Sequence, residues 1–344
     1  MKYKGINYDT GTTTLTGSIT REVFDLNNVS KEIEIIKNEL HCNAIRISGV
    51  SIERIVQASE IALKNGLTVW FSPALNYDNR ENAHSYILES AVAAEKLRAE
   101  FTNVFFVAGC ELSLFVNGFV KGETVNERIA NLFSPVSMVK NILGIKRKYN
   151  KRLNKFLSAV VAEIRKQFHG QITYASGTWE KVDWKLFDIV GIDHYRGSYN
   201  SSTYSKELRR YKKPGKPLVV LEFGCCAYEG AEDKGAMAWA IVDWKDQPEL
   251  KGNFVRDEEI QSKNISELLN IFENEKIPGA FVFTFITHNY VYNDNPKYDL
   301  DMASFGIVKA MPPGKDGYYQ GLSWLPKKAF FELGKLYSGQ HDDT

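Results

Sequence analysis

The chain has 344 residues, of which 44% are hydrophobic and 25% charged, the make-up of a soluble globular protein with a large core. Its 43 basic and 42 acidic residues leave a net charge of +1, so no bulk field draws it to nucleic acid or to an anionic membrane surface. No run approaches the roughly 18 apolar residues of a membrane span. The opening Met1–Tyr8 lacks a signal-peptide core, and the cysteines are only Cys42, Cys110, Cys225 and Cys226, so a reduced, cytoplasmic protein is expected.

Short apolar runs alternate with longer helical patterns, the order of βα units around a parallel sheet. Strand one is expected over Lys4–Tyr8, followed by a helix over Val29–Leu40 with Ser30 in its cap region. Strand two is Ala44–Ile47, and the next helix, Ser51–Asn65, stops at Asn65-Gly66. Strand three is Thr68–Phe71. A polar loop over Asn76–Asn82 then leads into a helix ending near Glu100, before strand four at Val104–Ala108. A long excursion from Leu112 to about Pro135 precedes a basic helical region, Asn150–Gln167. The stretch from Lys146 to Lys155 reads as a solvated helix face. Strands five, six and seven are Ile172–Ala175, Ile189–Ile192 and Leu218–Leu221. A loop over Cys225–Asp257 leads to a helix at Glu258–Glu275, strand eight at Ala280–Phe285 and a closing helix at Lys327–Tyr337. No Pro/Gly/Ser-rich linker, repeat or low-complexity tract interrupts this order. The expected fold is α/β, a (β/α)8 TIM barrel forming a single domain over residues 1–344. Its extended βα loops follow strands four, seven and eight, at the end where such barrels carry their chemistry.

Two charges break the pattern. Glu111 follows the run Val104–Cys110, and Glu222 follows Pro217–Leu221. A carboxylate at the C-terminal end of a buried strand is not core material. A pair of them facing one pocket is what retaining glycoside hydrolysis uses. Glu111 is assigned as general acid/base, a role that needs a raised pKa, and Glu222 as nucleophile. Arg46, ending strand two, is placed to pair with Glu222. Tyr195, after strand six, is placed to hold the nucleophile by a hydrogen bond, and His194 to do the same or to reach a sugar hydroxyl. Taken singly, each strand-end charge reads equally well as a structural salt-bridge partner; the combination is more specific.

With Arg46, Glu111, His194-Tyr195 and Glu222 on strands two, four, six and seven, almost the whole chain resembles the clan A glycoside hydrolases. These are retaining barrels with the acid/base after strand four and the nucleophile after strand seven. Gly109-Cys110-Glu111-Leu112-Ser113 is most similar to the endo-β-mannanase family numbered 113, which has Gly-x-Glu there. Lys4–Asp9, Ala108–Phe115 and Glu222–Cys226 also resemble a group of bacterial proteins labelled "abortive phage infection protein", although no residue points to phage defence. The resemblance implies an enzyme acting on β-linked carbohydrate by double displacement. Two positions depart from it: Cys110 stands where many members have an Asn touching the sugar 2-hydroxyl, and Phe285 stands in for a strand-eight Trp under the −1 sugar.

Sugar platforms are sought in Trp179, Tyr195, Tyr228, Trp244 and Phe285, with packing of the loop against the barrel rim as the alternative for Trp179. Asp9 could bind hydroxyls, although capping of the turn after strand one is the plainer reading. Cys110, Cys225, Cys226 and His194 invite a metal, but no CxxC, HxH or HExxH pattern occurs. No GxGxxG or P-loop occurs either, so no cofactor and no metal are expected. A carbohydrate is the expected partner, nucleic acid and membrane are not, and oligomeric state is not legible. Two other readings stay open: a barrel that binds carbohydrate without cleaving it, and a metal-dependent hydrolase.

Overall fold

The computed structural model describes all residues except 15–16, 135, 137–147, 245–246, 316 and 340–344. The expected end of the excursion at Pro135 and the Lys146-Arg147 start of the basic stretch lie outside the described residues. Eight parallel strands close into a barrel in the order of the chain. They are β1 (Tyr3–Asp9), β2 (Ala44–Gly49), β3 (Thr68–Pro73), β4 (Val104–Cys110), β5 (Ile172–Gly177), β6 (Val190–Asp193), β7 (Leu218–Phe223) and β8 (Gly279–Val282), with β8 pairing back to β1.

The outer helices are α1 (Leu26–Asn38), α2 (Ile52–Lys64), α3 (Arg80–Glu100), α4 (Lys148–Gln167), α5 (Tyr204–Tyr211), α6 (Glu258–Asn274) and α7 (Lys328–Ser338). Most start at a side chain that accepts an otherwise orphaned backbone N–H: Asp25 for α1, Ser51 for α2, Asn79 for α3 and Asp257 for α6. The cap of α1 is therefore Asp25 and not Ser30, whose hydroxyl donates to Glu34 one turn further on. In α4 the buried residues Tyr149, Leu153, Leu157, Val160, Val161 and Ile164 follow helical spacing, while Lys151, Arg152 and Lys155 are exposed. Between β5 and β6 the connection is only a 3-10 turn, Trp184–Leu186, capped by Asp183.

Inside the barrel each strand changes character along its length. Trp70, Phe281, Val107, Val219 and Ala44 pack as an apolar plug, with Trp70 stacked on Phe105 at 4.8 Å. Two residues further along the same inward face, Ala44 gives way to Arg46, Trp70 to Ser72, Gly5 to Asn7 and Gly191 to Asp193. Asn7 ties the seam, its Nδ2 donating to the Leu221 carbonyl at 2.9 Å and the Val282 carbonyl at 3.2 Å. The ladder shifts register within β4, after Val107, and between β6 and β7, after Ile192. Such irregularities beside functional strand ends re-aim side chains.

The long loops are braced by charge. After β4, the fully buried Arg128 donates to the carbonyls of Leu114 at 2.6 Å and Gly122 at 3.0 Å, and to Asn117 Oδ1 at 2.6 Å. After β7 and β8, Arg256 pairs with Asp299 at 2.7 Å and Asp301 at 3.0 Å, and the buried Lys327 amine lies 2.8 Å from Asp301. Asp301 and Lys327 are both fully excluded from solvent. Asp301→Ala strands the Lys327 ammonium in the interior and should cost about 3–5 kcal/mol in urea unfolding. Adding Lys327→Met should restore part of that loss, because it removes the uncompensated charge; the two losses simply adding would show that the pair does not interact.

Candidate active site

The polar ends of β2, β4, β6 and β7 converge. Arg46, 2% exposed, sends Nη1 to Glu222 Oε1 at 2.8 Å while its Nε donates to Ser72 Oγ at 3.1 Å. Tyr195 donates its hydroxyl to the other oxygen, Glu222 Oε2, at 3.0 Å. The Cys110 thiol lies 3.5 Å from Glu222 Oε1 and 3.5 Å from Asp193 Oδ2. Glu222 is thus held by a cation, a phenol and a thiol, with its side chain 12% exposed.

Glu111 has a different setting. It sits just past β4 in the left-handed region at φ 43, ψ 41, a conformation non-glycine residues seldom adopt and one found often at functional sites. Its own N–H donates to the Ala175 carbonyl at 2.8 Å. The next two amides are also taken: Leu112 N–H donates to the Tyr174 hydroxyl at 2.8 Å, and Ser113 N–H to Glu180 Oε1 at 3.0 Å. Tyr174 in turn donates to Glu180 Oε2 at 2.9 Å. A buried Tyr–Glu pair on the β5 side therefore clamps the turn that carries Glu111. Burial pushes the Glu111 pKa well up, and the negative charges of Asp193, Glu222 and Glu180 push the same way, opposed by Arg46. Burial, then the charge of Glu222, also raises Asp193. Burial raises Glu180 to about 7 against the hydrogen bonds from Ser113 and Tyr174.

Several expected site residues lie elsewhere. His194 is fully buried, its ring against Tyr204 at 4.3 Å and its Nε2 3.3 Å from Glu207. It points out of the barrel because side chains alternate along a strand, so Asp193 and Tyr195 face the pocket and His194 cannot. Phe285 is fully buried against Tyr8 and Trp324. β8 ends at Val282, three residues earlier than expected, so the alternation that would turn Phe285 inward no longer applies. The Phe283–Thr284 peptide is cis. Phe283 is half-buried and packs on Phe305, as Tyr195 does. Tyr228 is fully buried in the β7 loop, its hydroxyl donating to the Ala238 carbonyl at 2.8 Å. Asp9 caps its turn, accepting from Gly11 N–H at 2.9 Å and from the Thr20 hydroxyl. Cys225 and Cys226 are buried, the latter's thiol facing the Ala303 carbonyl at 3.2 Å, so neither joins His194 in a metal centre.

Trp179 and Trp244 are half-buried. Trp179 lies over Gly177, where a Cβ would meet its ring at 2.5 Å, and its Nε1–H donates to Ser113 Oγ at 3.1 Å. It therefore flanks the Glu111 turn. Trp244 belongs to the cluster containing Tyr195 and Phe283, edge-on to Tyr290 at 5.3 Å. Sequence reasoning missed Asp193, Glu180 and Phe283. Asp193 was within reach, since the same period of two that turns Tyr195 inward turns Asp193 inward as well.

No protein-family model matches the chain, and no curated protein matches it in sequence. In structure it is similar to a GH113 β-1,4-mannanase, with 15% identity over 99% of this chain and 100% of that one and a TM-score of 0.61. It is equally similar to the GH113 β-mannanase from Alicyclobacillus acidocaldarius solved in complex with ManMIm, at 13% identity over 98% and 97% of the two chains and a TM-score of 0.61. β-Glucuronidase 2 of Bacteroides uniformis, in a calcium-binding mutant form, matches at 13% identity and a TM-score of 0.58, with 35% of its length covered. At these identities the likeness establishes the architecture, the (β/α)8 barrel of these proteins.

The clamp on the Glu111 turn makes a prediction. Glu180→Gln keeps the shape of the side chain and removes a negative charge that raises Glu111. Above pH 7, where Glu180 is largely ionised, the variant's Glu111 should lose its proton at lower pH than in the wild type. In a carbon-13 NMR titration of the Glu111 carboxyl the midpoint should therefore move to lower pH, and an unmoved midpoint would show that Glu180 only packs.

Proposed function

We propose that the protein is a retaining glycoside hydrolase acting on β-linked carbohydrate, with Glu222 as nucleophile and Glu111 as general acid/base. The observation that carries this reading is the contrast between two like side chains. Glu222 is held by Arg46, Tyr195 and Cys110, whereas burial first, and then the charges of Asp193, Glu222 and Glu180, favour the protonated form of Glu111. Double displacement uses that contrast directly. A Glu222 oxygen attacks the anomeric carbon as the bond to the leaving oxygen breaks, and the Glu111 proton passes to that oxygen. The glycosyl ester is then opened by a water whose proton returns to Glu111. Arg46 and Tyr195 fix the attacking oxygens, and Trp179, Trp244 and Phe283 offer aromatic faces to the sugar. The barrel shared with β-mannanases and β-glucuronidase supports a pyranoside substrate. The four free cysteines fit a reducing compartment such as the cytoplasm, and among the described residues no helix is long and apolar enough to cross a membrane.

Cys110 motivates a second reading, a barrel that binds carbohydrate without cleaving it, because a thiol replaces the amide expected before the acid/base. A cyclitol epoxide of the cyclophellitol type separates the two, since its covalent attachment to Glu222 requires a working nucleophile. On an aryl β-glycoside panel, Glu222→Ala should abolish turnover, and azide, attacking from the face that Glu222 occupied, should restore it as a glycosyl azide of inverted configuration. Glu111→Gln should lower kcat/KM by about 10²–10⁴ for poor leaving groups and by much less for activated ones. Full activity in Glu222→Ala would overturn the assignment.

A further inference from the structure

Cys110 is more than an absent amide. Its sulfur lies 3.5 Å from Asp193 Oδ2 and 3.5 Å from Glu222 Oε1, and the three ligating atoms fall within 4.8 Å of one another. A tetrahedral zinc with a metal–sulfur bond of about 2.3 Å and metal–oxygen bonds of about 2.0–2.2 Å spaces its sulfur and oxygen ligands roughly 3.5–3.7 Å apart. Both sulfur–oxygen edges of the cluster have that length. Asp193 adds an independent sign. It is 2% exposed, and its second oxygen, Oδ1, is buried without a hydrogen-bond partner, a state native structures seldom leave unrelieved. Charge points the same way. Two carboxylates and a thiolate carry three negative charges, Arg46 returns one, and a divalent cation brings the buried set to neutrality. Arg46 already holds Glu222 Oε1, but a carboxylate oxygen accepts more than one partner.

We propose that Cys110, Asp193 and Glu222 form a binding site for a thiophilic divalent cation, Zn²⁺ or Cd²⁺, and that a bound cation blocks the pocket by capturing the Glu222 carboxylate. On binding, the Cys110 S–H proton passes to water as the sulfur–metal bond forms, and nothing is oxidised or reduced. The fourth position is left for water. Among the described residues no other set of three His, Cys, Asp or Glu ligands converges in this way, and Cys42, Cys225 and Cys226 are buried elsewhere. The blocking of activity rests on the glycosidase reading; the binding of metal does not.

The test is a titration of the full chain with Cd²⁺, followed by the ultraviolet charge-transfer band of a cadmium–thiolate bond. One Cd²⁺ per chain is expected. Cys110→Asn should lose the band and bind at least about tenfold more weakly. Asp193→Asn keeps the thiol and should weaken binding to a similar degree, so it carries the test if circular dichroism shows Cys110→Asn to be unfolded. Equal Cd²⁺ affinity and an unchanged band in the folded variants would overturn the site. Aryl glycoside turnover by the wild type should fall on addition of Zn²⁺, competitively with the sugar. Cadmium bound at Cys110 in a protein that cleaves no glycoside would leave the metal site standing and remove the hydrolase reading. Glycoside cleavage with no cadmium at Cys110 would do the reverse.

Discussion

The charges of Glu222, Asp193, Glu111 and Glu180 act on one another in a partly dry region where, among the described residues, Arg46 is the guanidinium that opposes them. One positive charge cannot compensate four negative ones where water is scarce, because an isolated buried carboxylate is far too costly to keep ionised. The system relieves itself by holding protons. Burial, and after it the neighbouring negative charges, raise Glu111 and Asp193, and burial raises Glu180, while the salt bridge and the Tyr195 hydroxyl are spent on Glu222. Two glutamates thus meet opposite surroundings through position alone, one beside a guanidinium and a phenol, the other buried among negative charges. Arg46 is itself secured by Ser72, so the electrostatics of the pocket hang on a short contact between β2 and β3.

The barrel makes this crowding tolerable by confining it. The apolar plug built on Trp70, Phe105 and Phe281 closes the interior beneath the charged layer, and the switch from apolar to polar takes place within two residues on each strand. The shifted registers of β4 and β7 fall at that level. Below it, regular pairing supplies stability; above it, the chain departs from regular geometry at Gly109, with φ 127, and at Glu111. The Tyr174–Glu180 clamp then fixes that departure from the neighbouring strand. A left-handed residue with both following amides anchored has little freedom to move.

Much of the architecture was legible because a parallel barrel writes itself as apolar runs separated by helical periods. The strand ends located Glu111, Glu222, Arg46 and Tyr195 for the same reason: a charge or phenol just beyond a buried run has few places to go. The misassigned residues fail for physical causes that a linear reading handles poorly. His194 and Asp193 are neighbours on faces that alternate, and attention to residue type favoured the imidazole over the carboxylate. Phe285 and Tyr228 are aromatic residues on active-face loops, yet such loops need cores of their own, here built around Trp324 and Phe254. Asp9 shows the common fate of an acid after a strand, which is to cap its own turn. Glu180 left no signal at all, because its importance lies in the Ser113 amide and, through Tyr174, the Leu112 amide of the turn after β4.

The thiol at Cys110 follows from the same crowding. An amide side chain in that position would bring two N–H donors and a carbonyl, and the carbonyl would face Asp193 and Glu222, both acceptors when ionised. A thiol is smaller, a weak donor, and without a carbonyl of its own. Burial, and then the charges of Glu222 and Asp193, raise its pKa far above the ordinary range, so it keeps its proton and turns that proton toward the two carboxylates. The thiol provides a soft, compact link between β4, β6 and β7. A side chain that tolerates two carboxylates only while it holds a proton is also one from which a thiophilic cation can displace that proton. The feature that eases the pocket's charge in the resting protein is therefore the one that exposes it to metal.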